Sequence, residues 1–257
     1  MNITKNIKKI TMLLTVLMLV ALATGCVSWS NTPLHVLRYD QPGQHEERRL
    51  IVFLRGMGGG NESFEEQGFV DEVLARGLAY DMAAPDVHIG YYMDRSMIQR
   101  LKEDVIDPAK AEGCRKIWLV GASMGGLGAI LYLKEYPEDV AGVYLMAPFL
   151  GTQSILDEID AAGGLSCWKP GALQDDDDWQ RMLWTWLKTE VAGRPEKIVY
   201  LGYGTEDFYG KGALLLAPVL PPDRVYAIAG GHDYSTFKAL WKMFLSGSAP
   251  LRVRDEP

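Results

Sequence analysis

The chain has 257 residues, of which 48% are apolar, enough to build one sizeable domain with a proper core. Its 33 acidic and 26 basic residues give a net charge of −7, and no basic cluster appears; such a surface repels phosphate backbones and excludes nucleic acid as a partner. Only three cysteines and four histidines occur, without CxxC, HExxH or clustered histidine, so no metal and no cofactor is expected.

The first segment carries Lys5, Lys8 and Lys9, then an apolar run from Ile10 to Ala23. It is too short to span a bilayer comfortably and has the charged head, apolar middle and small-residue end of a signal peptide, assigned to residues 1–25. Ala23-Thr24-Gly25-Cys26 resembles the lipobox of bacterial lipoproteins, with Ala23 where a larger aliphatic residue is usual. The resemblance implies that Cys26 is lipidated, becomes the mature N-terminus, and holds the protein at a membrane. It also implies a cell-envelope location: the periplasmic face of the outer membrane in a Gram-negative cell, since Val27 rather than aspartate follows the cysteine. The alternatives are a plain secretory signal, which would release the chain, or a retained membrane anchor. Loss of residues 1–25 moves the charge to −10, with 23 basic against 33 acidic residues.

Residues 26–34 read as a tether and 35–257 as the folded domain. His35–Tyr39 is a candidate first strand, followed by a turn at Gln41-Pro42-Gly43. Leu50–Leu54 is a compact apolar strand running into Arg55-Gly56-Met57-Gly58-Gly59-Gly60, where glycines let backbone approach a ligand and offer N–H groups. Helical spacing predicts a helix over Ser63–Leu78, a strand follows at Tyr80–Val87, and a second helix spans Asp94–Glu112 with Pro108 inside it. His88, beside Tyr91 and Tyr92, reads as a packing or surface histidine.

Lys116–Gly128, KIWLVGASMGGLG, organises the rest. The run Ile117–Val120 reads as a buried strand and Gly126–Glu135 as a helix, with Gly121-Ala122-Ser123-Met124-Gly125 between them. A Gly-x-Ser-x-Gly in this setting is a nucleophile elbow. The turn exposes the serine oxygen, the glycines omit Cβ atoms that would collide, and the helix aims free N–H groups at the reacting centre. Further strands are predicted at Val140–Ala147, Ile198–Tyr203 and Val225–Ala229, and strands alternating with helices imply a mostly parallel sheet.

Between 151 and 194 the rhythm breaks. Trp179, Met182, Leu183, Trp186 and Leu187 share one helical face, predicting a helical cap that walls a substrate pocket. The run Asp175–Asp178 precedes that helix, where its N-terminal partial positive charge favours carboxylates. Cys114 and Cys167 read as small buried apolar residues, with pairing in an oxidising compartment as the alternative.

A serine nucleophile needs a base, and the base needs a carboxylate to fix its tautomer. His232, in Gly230-Gly231-His232-Asp233, alone follows the last strand; Asp207 follows the strand before it, with neighbouring Glu206 as the alternative acid. The order Ser123, Asp207, His232 resembles that of the α/β-hydrolase superfamily, over nearly all of residues 35–247. The resemblance implies an α/β-hydrolase fold and an oxyanion hole made by the backbone N–H groups of Met57 and Met124. Arg55 stands where many esterases of that superfamily carry histidine. The implied activity is hydrolysis of a small-molecule carboxylic ester through an acyl-enzyme on Ser123. Thioesterase, amidase or acyltransferase chemistry on the same triad, or a non-catalytic membrane-anchored binding protein, are the alternatives.

Overall fold

A computed structural model of the chain describes residues 32–41, 48–172, 178–246 and 251. The signal peptide, Cys26, most of the tether, Pro42-Gly43 and Asp175–Asp177 lie outside the described residues.

Seven strands form one sheet in the order β1-β3-β2-β4-β5-β6-β7. They are β1 (Val36–Tyr39), β2 (Arg48–Leu54), β3 (Asp81–Pro85), β4 (Cys114–Ala122), β5 (Gly142–Met146), β6 (Val199–Gly204) and β7 (Val225–Ile228). All neighbours run parallel except β1, which pairs antiparallel with β3 in the register Val36 opposite Pro85. The six parallel strands therefore share one carboxyl edge, where ligand chemistry gathers in open α/β sheets. This is the α/β-hydrolase fold.

The strand sequences dictate two cores. Along β2, Leu50, Val52 and Leu54 enter one cluster while Ile51 and Phe53 enter the other, so the period of two buries alternate side chains on opposite faces. Both faces need helices. One is covered by α1 (Ser63–Glu66), α2 (Phe69–Ala75) and α10 (Tyr234–Ser246). There the Tyr144 and Phe244 rings stack 4.2 Å apart, and Trp241 Nε1 donates to the Phe69 carbonyl at 3.1 Å. The other face receives α3 (Ile89–Met93), α4 (Met97–Leu101), α5 (Asp107–Ala111), α6 (Met124–Glu135), α7 (Gln153–Ala161), α8 (Trp179–Trp186) and α9 (Lys211–Leu216).

Several elements differ from the sequence pattern for local reasons. The helix predicted over Ser63–Leu78 is two short helices, broken where Gly68 takes φ +74°. The one predicted over Asp94–Glu112 starts at Met97 and passes through a π-helical turn, Lys102–Ile106, before Pro108 enters the first turn of α5. α3, α7, α9 and α10 are additions to the predicted set.

Between β5 and β6, Asp178 caps α8 by accepting from the Arg181 N–H at 3.3 Å, as expected for a carboxylate at a helix start. The predicted stripe is buried in part: Leu183, and Leu187 just past α8, are buried, Trp179, Met182 and Trp186 are half-buried, and Trp184, outside the stripe, is buried as well. Trp184 turns inward because its indole N–H donates to the Leu150 carbonyl at 2.7 Å. Arg181 joins α8 to α7 through Glu158, which also accepts from the Trp168 indole at 2.8 Å. Cys114 and Cys167 are unpaired; Cys114 is buried, whereas Cys167 is exposed rather than packed inside.

Candidate active site

The end of β4 delivers Ser123 into a backbone conformation that side chains rarely adopt, φ +53° and ψ −116°. Backbone hydrogen bonds fix that turn. The Ser123 N–H donates to the Met146 carbonyl of β5 at 2.9 Å, and the Ser123 carbonyl accepts from Phe149 at 2.9 Å and Gly126 at 3.0 Å. The flanking glycines are there for space. A Cβ on Gly121 would fall inside the Gly125 carbonyl, and one on Gly125 inside the Leu54 carbonyl at the end of β2. Three backbone segments thus meet here with no room for one more carbon.

That contact brings the loop after β2 to Ser123. A Cβ on Gly56 would lie 3.4 Å from the Ser123 Cβ, so Met57 and Met124 each follow a residue at this contact. Among the described residues neither the Met57 nor the Met124 N–H donates to a protein acceptor. Each segment is held from behind. The buried Arg55 guanidinium donates to Asp86 at 2.7 Å and to the Gly56 carbonyl at 3.3 Å. The Tyr92 hydroxyl donates to the Met124 carbonyl at 3.0 Å, and Gly128 leaves it space, since a Cβ there would lie 2.5 Å away. Burial pushes the Tyr92 pKa well up, so the hydroxyl remains a donor at any physiological pH. Asp86 and Tyr92 both belong to the segment after β3, which therefore braces both sides of the elbow.

The loops after β6 and β7 are joined by Thr205 N–H to Ile228 carbonyl at 2.8 Å and Glu206 N–H to Gly230 carbonyl at 3.0 Å. This pairing sets Asp207 against His232, with Oδ2 2.7 Å from Nδ1. The other Asp207 oxygen accepts the Tyr209 N–H at 2.7 Å, so the carboxylate is held at both oxygens and its side chain is wholly shielded from solvent. Tyr209 and Phe237 flank the imidazole edge-on at 5.1 and 5.2 Å. A carboxylate on Nδ1 fixes the neutral tautomer with Nε2 as the free acceptor. Glu206 is exposed and takes no part in this pairing.

Ser123 and His232 lie at the same edge of the sheet. Among the described residues no hydrogen bond joins them; free enzymes often hold such pairs long until substrate arrives. His88 has an ordinary structural task, capping α3 by accepting from the Gly90 N–H at 3.1 Å. Asp86, Tyr92 and Tyr209 carry no motif that marks them in the sequence, and the one available signal is their position just after β3 and β6.

The strain at Ser123 generates a stability prediction. Glycine tolerates this conformation, whereas a side chain there costs about 1–3 kcal/mol. Ser123→Gly is therefore expected to raise unfolding stability by about 1 kcal/mol after the greater chain entropy of glycine is counted. Ser123→Ala retains the strain and should gain less, and chemical denaturation of the three proteins measures the order.

Comparison with known proteins adds to this geometry. No curated protein matches the chain. Solved structures share its fold at low identity. One is FphF, a fluorophosphonate-binding serine hydrolase of Staphylococcus aureus, with a TM-score of 0.57, 13% identity, and coverage of 84% of this chain and 98% of that one. Another is Est1E of Butyrivibrio proteoclasticus, at 0.56, 16%, 82% and 93% respectively. The S-formylglutathione hydrolase FrmB of S. aureus gives 0.53, 13%, 85% and 98%. The chain thus has the fold of the α/β-hydrolases, and residues 92–218, which include Ser123 and Asp207, match the family described as putative esterase.

Proposed function

We propose that the chain is a serine hydrolase that cleaves carboxylic esters and is held at a membrane through a lipid on Cys26. The observation that carries the catalytic reading is the shielded Asp207–His232 pair at 2.7 Å on the same sheet edge as the strained Ser123. The match of residues 92–218 to a putative esterase family supports it.

In this reading His232 Nε2 takes the Ser123 proton as Oγ attacks the ester carbonyl carbon. Asp207 stabilises the imidazolium that results. The Met57 and Met124 N–H groups meet the oxyanion of the tetrahedral intermediate. The C–O bond then breaks, His232 protonates the leaving alcohol, and an acyl-enzyme remains on Ser123. Water, deprotonated by His232, attacks that acyl group and releases the carboxylic acid. Arg55 and Tyr92 act through the backbone, holding the carbonyls of Gly56 and Met124.

A fluorophosphonate probe is expected to label the wild-type chain but not Ser123→Ala, and to label His232→Ala only weakly. Ester turnover should fall by several powers of ten in each triad variant, Asp207→Asn included. Labelling that persists in Ser123→Ala would refute the assignment. Arg55→Met is expected to lower kcat about tenfold with KM nearly unchanged, because it loosens a group that acts in the transition state; a change in KM alone would assign Arg55 a substrate-binding role instead. For the anchor, cells should incorporate a clickable palmitate analogue into the wild-type chain and not into Cys26→Ser.

A further inference from the structure

We infer that the carboxyl edge of the sheet faces a neutral lipid surface, and that the ester cleaved belongs to a lipid lying in that surface. This rests on the serine-hydrolase reading above and extends it to orientation and substrate class.

The direction of β1 is the first ground. Because β1 runs antiparallel to β3 with Val36 opposite Pro85, residues before Val36 lie at the carboxyl edge of the parallel strands. Thr32 is fastened there, its carbonyl accepting from the Tyr91 hydroxyl of α3 at 3.2 Å. The chain thus enters the domain at the edge that carries Ser123 and His232. Cys26 stands six residues before Thr32, and six residues reach at most about 20 Å when fully extended. A domain of this length is roughly 45 Å across, taken from a radius of gyration of about 17 Å. A lipid or apolar segment before Thr32 therefore keeps the catalytic edge, and not the opposite one, at the membrane.

The second ground is what that edge exposes. Met57, Ile89, Met93, Phe149, Phe208 and Tyr209 are six of the nine large apolar side chains left exposed among the described residues, and each lies in a segment leaving the carboxyl end of a strand. Phe208 is 91% exposed and Met93 78%, values that a watery surface penalises and an acyl-chain layer rewards. Three of the six also adjoin the reacting groups. Met57 follows the glycine packed on Ser123, Phe149 donates its N–H to the Ser123 carbonyl, and the Tyr209 ring lies against His232. The chain as a whole is acidic, so apolar burial rather than attraction to anionic headgroups is the force that seats this rim.

The test uses the full chain reconstituted into phosphatidylcholine vesicles, in a Cys167→Ser background that removes the exposed native thiol. An environment-sensitive fluorophore is attached through Phe208→Cys, or through Glu138→Cys in the loop before β5 at the opposite edge. Brominated acyl chains should quench the Phe208→Cys probe at least fivefold more than the Glu138→Cys probe. Equal quenching, or none at either site, overturns the orientation. Fluorophosphonate labelling of the same samples keeps the two readings apart: labelling without quenching overturns the orientation alone, and quenching without labelling overturns the hydrolase reading on which the substrate rests. For the substrate class, turnover of a vesicle-embedded long-chain p-nitrophenyl ester is divided by turnover of soluble p-nitrophenyl acetate. This ratio should fall at least tenfold in Phe208→Ser/Met93→Ser, and an unchanged ratio overturns the lipid assignment.

Discussion

Everything in this site depends on a steric constraint: the ends of β2 and β4 and the start of α6 approach so closely that no side chain fits between them. Gly121 and Gly125 meet that condition, and Ser123 absorbs the remaining turn in a strained backbone conformation. The strain persists because strong neighbours over-determine it. Met146 and Phe149 bond the serine backbone from the β5 side, while the Leu54 carbonyl closes it from β2. The same close packing brings the loop that carries Met57 against Ser123, where a Cβ on Gly56 would lie 3.4 Å from the serine Cβ.

The other candidate site residues stand on loops that the sheet sets at one edge. Parallel pairing of β6 and β7 continues as hydrogen bonds between their following loops, and these bring a shielded carboxylate to an imidazole that stays partly open to solvent. The loop after β3 contributes differently. Its Asp86 accepts from Arg55 and the Tyr92 hydroxyl of α3 donates to the Met124 carbonyl, so they brace the two segments that the proposed reading assigns to the oxyanion. Preorganisation of this kind matters because a donor that must reorient when charge develops loses most of its worth.

The elbow was legible in the sequence because each of its residues answers a local physical demand: glycine for space, serine for chemistry, a β-branched and aromatic run for the strand. The pairing of Asp207 with His232 was legible by position, since each follows a recognisable strand in turn. The Arg55–Asp86 pair and the Tyr92 contact were not, because they join residues about 30 positions apart that no periodicity links. Gly68 shows a subtler failure. The apolar spacing on both sides of it suits one helix, and only its left-handed backbone separates α1 from α2. Trp184 escaped the predicted stripe because its indole hydrogen bond, and not its hydrophobicity alone, decides which face of α8 is buried. Strand direction at the sheet edge is likewise invisible to pattern, and that direction decides where the chain enters the domain.

The central claim is that Ser123, His232 and the two methionine N–H groups act on one atom centre. A crystal structure of the protein phosphonylated on Ser123 tests it most directly. The account predicts the phosphonyl oxygen about 3 Å from both the Met57 and Met124 nitrogens, with His232 Nε2 drawn to hydrogen-bond distance from Ser123 Oγ and Nδ1 still on Asp207. A phosphonyl oxygen pointing into solvent, with the imidazole remote from the serine, would contradict it.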